Sequence, residues 1–216
     1  SNYNIWYNIG NSIMSTLETN LIQPSTGTAL TVGASGDTIT VPSGATFNVA
    51  GTLQSGGSAI TQGITEADQF RYTAESGGIS GDITSNIERV DTVFDKIGTG
   101  MTLSSGVFTF PSTGIYLVQL QAHINFSNEA DNGALISTLV TSDNSSYTER
   151  ARAVAGSNST SGNSQFTVFS NIMVDVTDTS NVKVKFNAAS FDSQSSLEGH
   201  TDRNQTSFTF IRLGDT

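Results

Sequence analysis

GVFTFPSTGIYLVQLQAHI, residues 106–124, is the stretch on which the fold turns. From Gly114 onward its apolar residues recur at every second position: Tyr116, Val118, Leu120, Ala122, Ile124 and then Phe126 share one face. Gln119, Gln121, His123 and Asn125 share the other. Side chains of an extended chain point alternately to its two sides, so this pattern predicts a central strand with one buried face.

The same reading extends downstream. Phe166, Val168, Ile172, Val174 and Val176 predict a second strand, Val182, Val184, Phe186 and Ala188 a third, and the run from Phe208 to Leu213 a terminal one. The segments SNEADNG, TSDNSS, AGSNSTSGNS and VTDTSN lie between them, rich in the Asn, Asp, Ser and Gly residues that cap turns with their side chains or tolerate positive φ. Strands at this spacing fit a two-sheet sandwich and an all-β chain. Charged residues are only 13%, which also disfavours surface helices built on Glu and Lys pairs. With 216 residues the chain has room for one main domain and an appendage, and with no cysteine it has no disulfide framework, thiol nucleophile or thiolate metal site.

Gly106, Phe108, Pro111, Gly114 and Tyr116 fall where the globular heads of the first complement component and its relatives carry a Gly, aromatic, Pro, Gly and Tyr signature. FRYTA (70–74) resembles the first strand of that group, IERVDTVFDKIGTG the approach to the signature, the segment 157–186 its Ser/Gly-rich loop, strand, turn and strand, and TSFTFIRL its closing strand. The head, residues 64–216, is thus similar to the jelly roll shared by complement heads and the tumour necrosis factor superfamily. That resemblance implies a ten-stranded jelly-roll sandwich associating as a homotrimer, with a stalk entering at one end.

Upstream, TALTVG, DTITVPSG and TFNVAGTL repeat a theme. Val32, Val41 and Val49 each stand two residues after Leu30, Ile39 or Phe47, and Gly33, Gly44 and Gly51 follow, a period of eight or nine. Units this small cannot bury an apolar face alone, so they stack or wind around partner chains. Residues 25–63 are therefore expected to form a short β-repeat shaft ending in a Gly-rich hinge, QSGGSAITQG, and they resemble the three-chain β shafts of phage fibres. Residues 1–24 differ again: Trp6, Ile9, Ile13, Leu17 and Leu21 recur at spacings of three and four, one stripe of an amphipathic helix. A helix this short is marginal alone, so its stripe is expected to dock on a virion tail or capsid protein.

These parts predict a bacteriophage virion fibre, assembled in the host cytoplasm, whose head binds a host cell-surface receptor or glycan. A tail fibre is the first reading and a capsid fibre the second. The chain shows no secretion signal at its start, and Ser1 is a residue type that follows a removed initiator Met. The alternative is a secreted trimeric ligand or adhesin of the same fold, and a third reading is a fibre-borne glycan hydrolase. A net charge of −10 argues against nucleic acid as a partner, and no apolar run approaches the roughly 18 residues that membrane insertion needs.

Candidate receptor contacts are Tyr147, beside the amide and hydroxyl groups of residues 144–146, and Phe191 and His200, which interrupt an otherwise polar run. No catalytic residue, cofactor or resident metal is assigned. Glu198, His200 and Asp202 alternate, a spacing that puts three ligand types on one side of an extended loop, and the resemblance brings in calcium, for which Glu129, Asp131 and Asn132 or Asp192 supply hard oxygen atoms. Ser193, Ser195 and Ser196 beside Asp192 and His200 imitate a hydrolase trio but lack the strand–turn–helix elbow that such a serine requires.

Overall fold

The computed structural model describes residues 21–24, 26–55, 57–60, 63–128 and 130–216. The chain divides into two units, Ser1–Gly57 and Ser58–Thr216. No helix occurs among the described residues. The expected helix falls outside them except for its last positions, where Leu21 is irregular in backbone and 67% exposed. None of the described elements is a helix long and apolar enough to cross a membrane.

Residues 26–53 of the first unit form no strand within the chain. Leu30, Val32, Ile39, Val41 and Phe47 are between 46% and 69% exposed. A strand needs a neighbour for its backbone N–H and C=O groups, and a single copy of this repeat offers none.

From Ala67 onward fourteen strand segments appear among the described residues. Six are two or three residues long: β2 Ser76–Gly77, β3 Gly81–Asp82, β4 Ile87–Arg89, β5 Lys96–Ile97, β6 Thr102–Ser104 and β7 Val107–Thr109. The longer ones are β1 Ala67–Tyr72, β8 Gly114–Ser127, β9 Asp131–Thr141, β10 Thr148–Ser157, β11 Asn163–Val176, β12 Lys183–Ala189, β13 Ser195–Glu198 and β14 Ser207–Gly214. The number exceeds the expected ten because turns, two of them at the left-handed residues Asn86 and Ser105, cut the run between Ser76 and Thr109 into pieces.

The pairings among these fourteen strands are antiparallel and sort into two sheets. In the first, β8 pairs along its whole length with β11, Gly114 opposite Val176 through Ser127 opposite Asn163. Its other edge is shared by β14 and β13, which pair in turn with β1 and β2, while β4 and β5 flank β1. The second sheet runs β10–β9–β12–β7–β6, with β3 also on β12. From β7 onward the chain crosses between sheets at β7 to β8, β8 to β9, β10 to β11, β11 to β12 and β12 to β13, the connectivity of a jelly roll. β10 and β11 are the end strands on one side of the sandwich.

The expected alternation of β8 is met: Tyr116, Val118, Leu120, Ala122, Ile124 and Phe126 are at most 1% exposed. Around Phe108, fully buried, stand the rings of Phe70 at 5.1 Å, Phe210 at 4.8 Å and Phe186 at 5.8 Å. Burying each such side chain contributes about 1.5–3 kcal/mol. The two signature glycines are explained by geometry. At Gly106 (φ +79°) a Cβ would lie 2.3 Å from the Ile83 carbonyl oxygen, and at Gly114 (φ +140°) 2.5 Å from that of Gly214. Tyr116, buried in the core, keeps its hydroxyl on Ser112, 2.9 Å from Oγ.

Candidate functional site

The three residues expected to contact a receptor lie in three places, and each has partners inside its own chain. Tyr147 precedes β10 on the second sheet, where the Lys185 ammonium sits 4.2 Å from its ring centroid. Lys185 Nζ donates to Asp82 Oδ2 at 2.7 Å, and Asn187 Nδ2 to Asp82 Oδ1 at 2.8 Å. Burial pushes the Asp82 carboxyl up, but the two donors outweigh it and hold the group below its ordinary value. Burial likewise pushes the Tyr147 phenol up, with Lys185 opposing. Phe191 follows β12 and packs against the core cluster. Lys185 and Ala189 are four residues apart on β12, about 13 Å at the rise of a strand, so Tyr147 and Phe191 serve different ends of the sandwich. His200 joins β13 to β14 on the first sheet; its N–H donates to the Tyr72 carbonyl at 2.9 Å, and its Nδ1 accepts the Asp202 N–H at 2.9 Å. Of the docking stripe, Trp6, Ile9, Ile13 and Leu17 lie outside the described residues.

The candidate metal ligands do not converge. Among the described residues no three His, Asp or Glu side chains gather as an ion would require. Glu198 accepts the Ser196 hydroxyl at 2.6 Å rather than turning toward His200. Asp131, with Gly133, Ser190 and Asp192, borders a concavity of about 530 Å³, but it is 3% exposed and both its oxygens have donors. Oδ1 accepts the Gly133 N–H at 3.0 Å, and Oδ2 accepts the Asp192 N–H at 3.2 Å and the Ser195 hydroxyl at 2.5 Å. Asp131 thus clasps the loop before β13, a poor fit to a calcium ligand; Glu129 falls outside the described residues. Ser195 and Ser196 direct their hydroxyls to the carboxylates of Asp131 and Glu198.

What the sequence did not reveal is the outward face of the first sheet, assembled from six strands. Its rows change character along β8. Met173, Leu117, Ile211 and Ala67 stand side by side as an apolar row, with Met173 71% exposed. Next comes an amide row of Asn171, Gln119, Thr209 and Gln69, in which Gln69 Nε2 donates to Thr209 Oγ1 at 2.8 Å. Phe169, 67% exposed, then stands opposite Gln121. At the far end, Gln165, Asn125, Ser196 and Gly77 form a polar row. Strand-to-strand register is needed to see these rows, and no local motif encodes it.

Among solved structures the chain is similar to Eiger TNF from S. frugiperda, at 15% identity and a TM-score of 0.51, over 69% of this chain and 93% of that one. It also matches murine APRIL crystallised at pH 5.0, at 12% identity and a TM-score of 0.47, over 68% of this chain and 99% of that one. At such identities the first likeness shows the fold, a jelly roll of tumour necrosis factor type, and nothing of activity. No family model and no curated protein matches the sequence.

Proposed function

We propose that the chain is a homotrimeric bacteriophage fibre, docked on the particle through residues 1–24 and binding the host surface through its jelly-roll head. One observation carries this reading: residues 26–53 repeat an apolar pattern with a period of eight or nine, yet a single chain leaves those side chains exposed and the segment without a strand. Three copies wound together would supply both the missing ladder and the missing apolar cover. The head supports the same assembly, because Met173 and Phe169 lie exposed on β11, a 14-residue end strand whose free edge otherwise invites uncontrolled pairing. Closed threefold association removes both liabilities without propagating into filaments. A tail location fits a receptor-binding head better than a capsid location.

The similarity to the Eiger TNF fold favours a second reading, a secreted trimeric ligand or adhesin. One measurement tests the trimer common to both readings and a second separates them. Native mass spectrometry of the full chain at low micromolar concentration should report three copies, and a gold-labelled antibody should decorate intact particles. A stable monomer overturns the trimer, and a trimer absent from particles but present outside secreting cells establishes the second reading. Deleting residues 1–24 should leave the trimer folded and abolish its incorporation; normal incorporation overturns the docking role.

A further inference from the structure

Two exposed apolar features lie at opposite ends of one row of the first sheet. The row Met173, Leu117, Ile211 and Ala67 continues across β5 to Ile97, which is 41% exposed. The loop that runs from β4 into β5 carries Val93 at 92%, the most exposed large apolar side chain among the described residues. Arg71, itself only 3% exposed, braces that loop by donating from Nη2 to Asp91 Oδ1 at 3.0 Å. A lone exposed valine means little by itself. This one has a counterpart at the other edge.

There, on the side of the sandwich where β10 and β11 end the two sheets, Val140, Ile172, Val174 and Val182 line a groove of about 340 Å³ bordered by Arg150 and Asp175. Met173, the far end of the row, belongs to the same groove. The charges beside the two features match. Asp95 and Lys96 follow Val93 on the loop, and Arg150 and Asp175 offer the opposite signs at the groove. Among the described residues none of these four side chains makes an ion pair or a hydrogen bond within its own chain. Opposed charges at an interface fix register and partner more than they add affinity, while the apolar contact supplies the drive.

Features at opposite edges of one sheet cannot meet inside a chain, but they meet when copies are set head to tail. A rotation that closes after three copies makes the three sheets the walls around an axis, with the apolar row facing inward and the β5 edge of each copy against the β11 edge of the next. A separate partner would require no match between this groove and the chain's own loop. We propose that Val93 of each copy seats in the groove of the next, with Asp95 facing Arg150 and Lys96 facing Asp175. The proposal rests on the homotrimer reading of the head and names the contact that closes it.

The chain has no cysteine, so an introduced pair reports the contact directly. Full-length Val93→Cys, combined in turn with Ser142→Cys, Ile172→Cys and Asp175→Cys, is oxidised mildly at low micromolar concentration and run without reductant. At least one pair should give a covalent trimer, because a head-to-tail contact links each copy to the next and the last to the first. Val93→Cys alone should stay unlinked. Charge reversal gives an independent reading: Asp95→Arg and Arg150→Asp should each raise the concentration at which half the trimer dissociates at least tenfold with the melting profile of the head kept, and the two together in one chain should recover the parent value within about threefold. No covalent trimer from any pair, a disulfide-linked dimer from Val93→Cys alone, or a double reversal no tighter than the single ones overturns the proposal. Three copies of the parent in native mass spectrometry with any of those results refutes this contact and leaves the trimer standing, whereas a monomeric parent refutes both.

Discussion

Phe108 sits where the two sheets meet, with no exposed surface and four rings within 6 Å. Phe108→Ala leaves a cavity that the surrounding rings cannot collapse into without giving up their own contacts, so a loss of about 3–5 kcal/mol is expected in denaturant unfolding. At the surface, Asp143 shapes a turn instead. Its Oδ1 accepts the N–H groups of Ser146 at 2.7 Å and Ser145 at 2.9 Å and the Thr141 hydroxyl at 2.8 Å. These donors, the Ser146 N–H first among them, hold its carboxyl well below the ordinary range. A depressed folded value means the turn is stabilised above the unfolded carboxyl's value of about 3.9 and loses that stabilisation as pH falls through the folded one. The melting-temperature advantage of the parent over Asp143→Asn should be constant between about pH 5 and 8 and close below about pH 4. A gap that does not narrow between pH 4 and pH 2 assigns the effect to shape rather than charge.

At the scale of the element, β8 was legible in the sequence because it is a central strand with a dry face and a wet one, which period two records directly. β11 was legible only in part. Val174 and Val176 are buried as expected, but Phe166 is 41% exposed, since it lies toward the open end of the sandwich on an edge strand. Phe169 and Met173 point the other way, where alternation alone expects polar residues. The polar row at the far end was not legible at all: Gly77, Asn125, Gln165 and Ser196 are scattered over 120 positions and meet only through three ladders. Replacing both Phe169 and Met173 with Glu tests what the outward apolar residues of β11 do. If they are covered by a neighbouring copy, light scattering should show dissociation to monomers whose far-ultraviolet circular dichroism is unchanged. If they merely face solvent, the mass stays that of the parent.

At the scale of the whole molecule, the two units differ in what a single chain can satisfy. The head closes its own core around six interlocked phenylalanines and has its ladders complete except at the sheet ends. Residues 26–53 have neither ladder nor core, although their sequence keeps apolar residues in register from Leu30 to Val49. Selection for such a pattern makes physical sense only if other chains complete it, so order in the shaft should follow association rather than fold on its own. The double Glu variant at Phe169 and Met173 gives a way to ask this without touching the shaft. In the assembled parent, limited proteolysis should leave residues 26–53 intact, because a wound ladder offers no extended segment to a protease cleft. In the dissociated variant the same segment should be cut within minutes while the head survives, and mass spectrometry of the fragments should place the cuts upstream of Ala67. Equal resistance in both would show that the shaft orders within one chain, and equal sensitivity that the repeat is a linker and not a shaft.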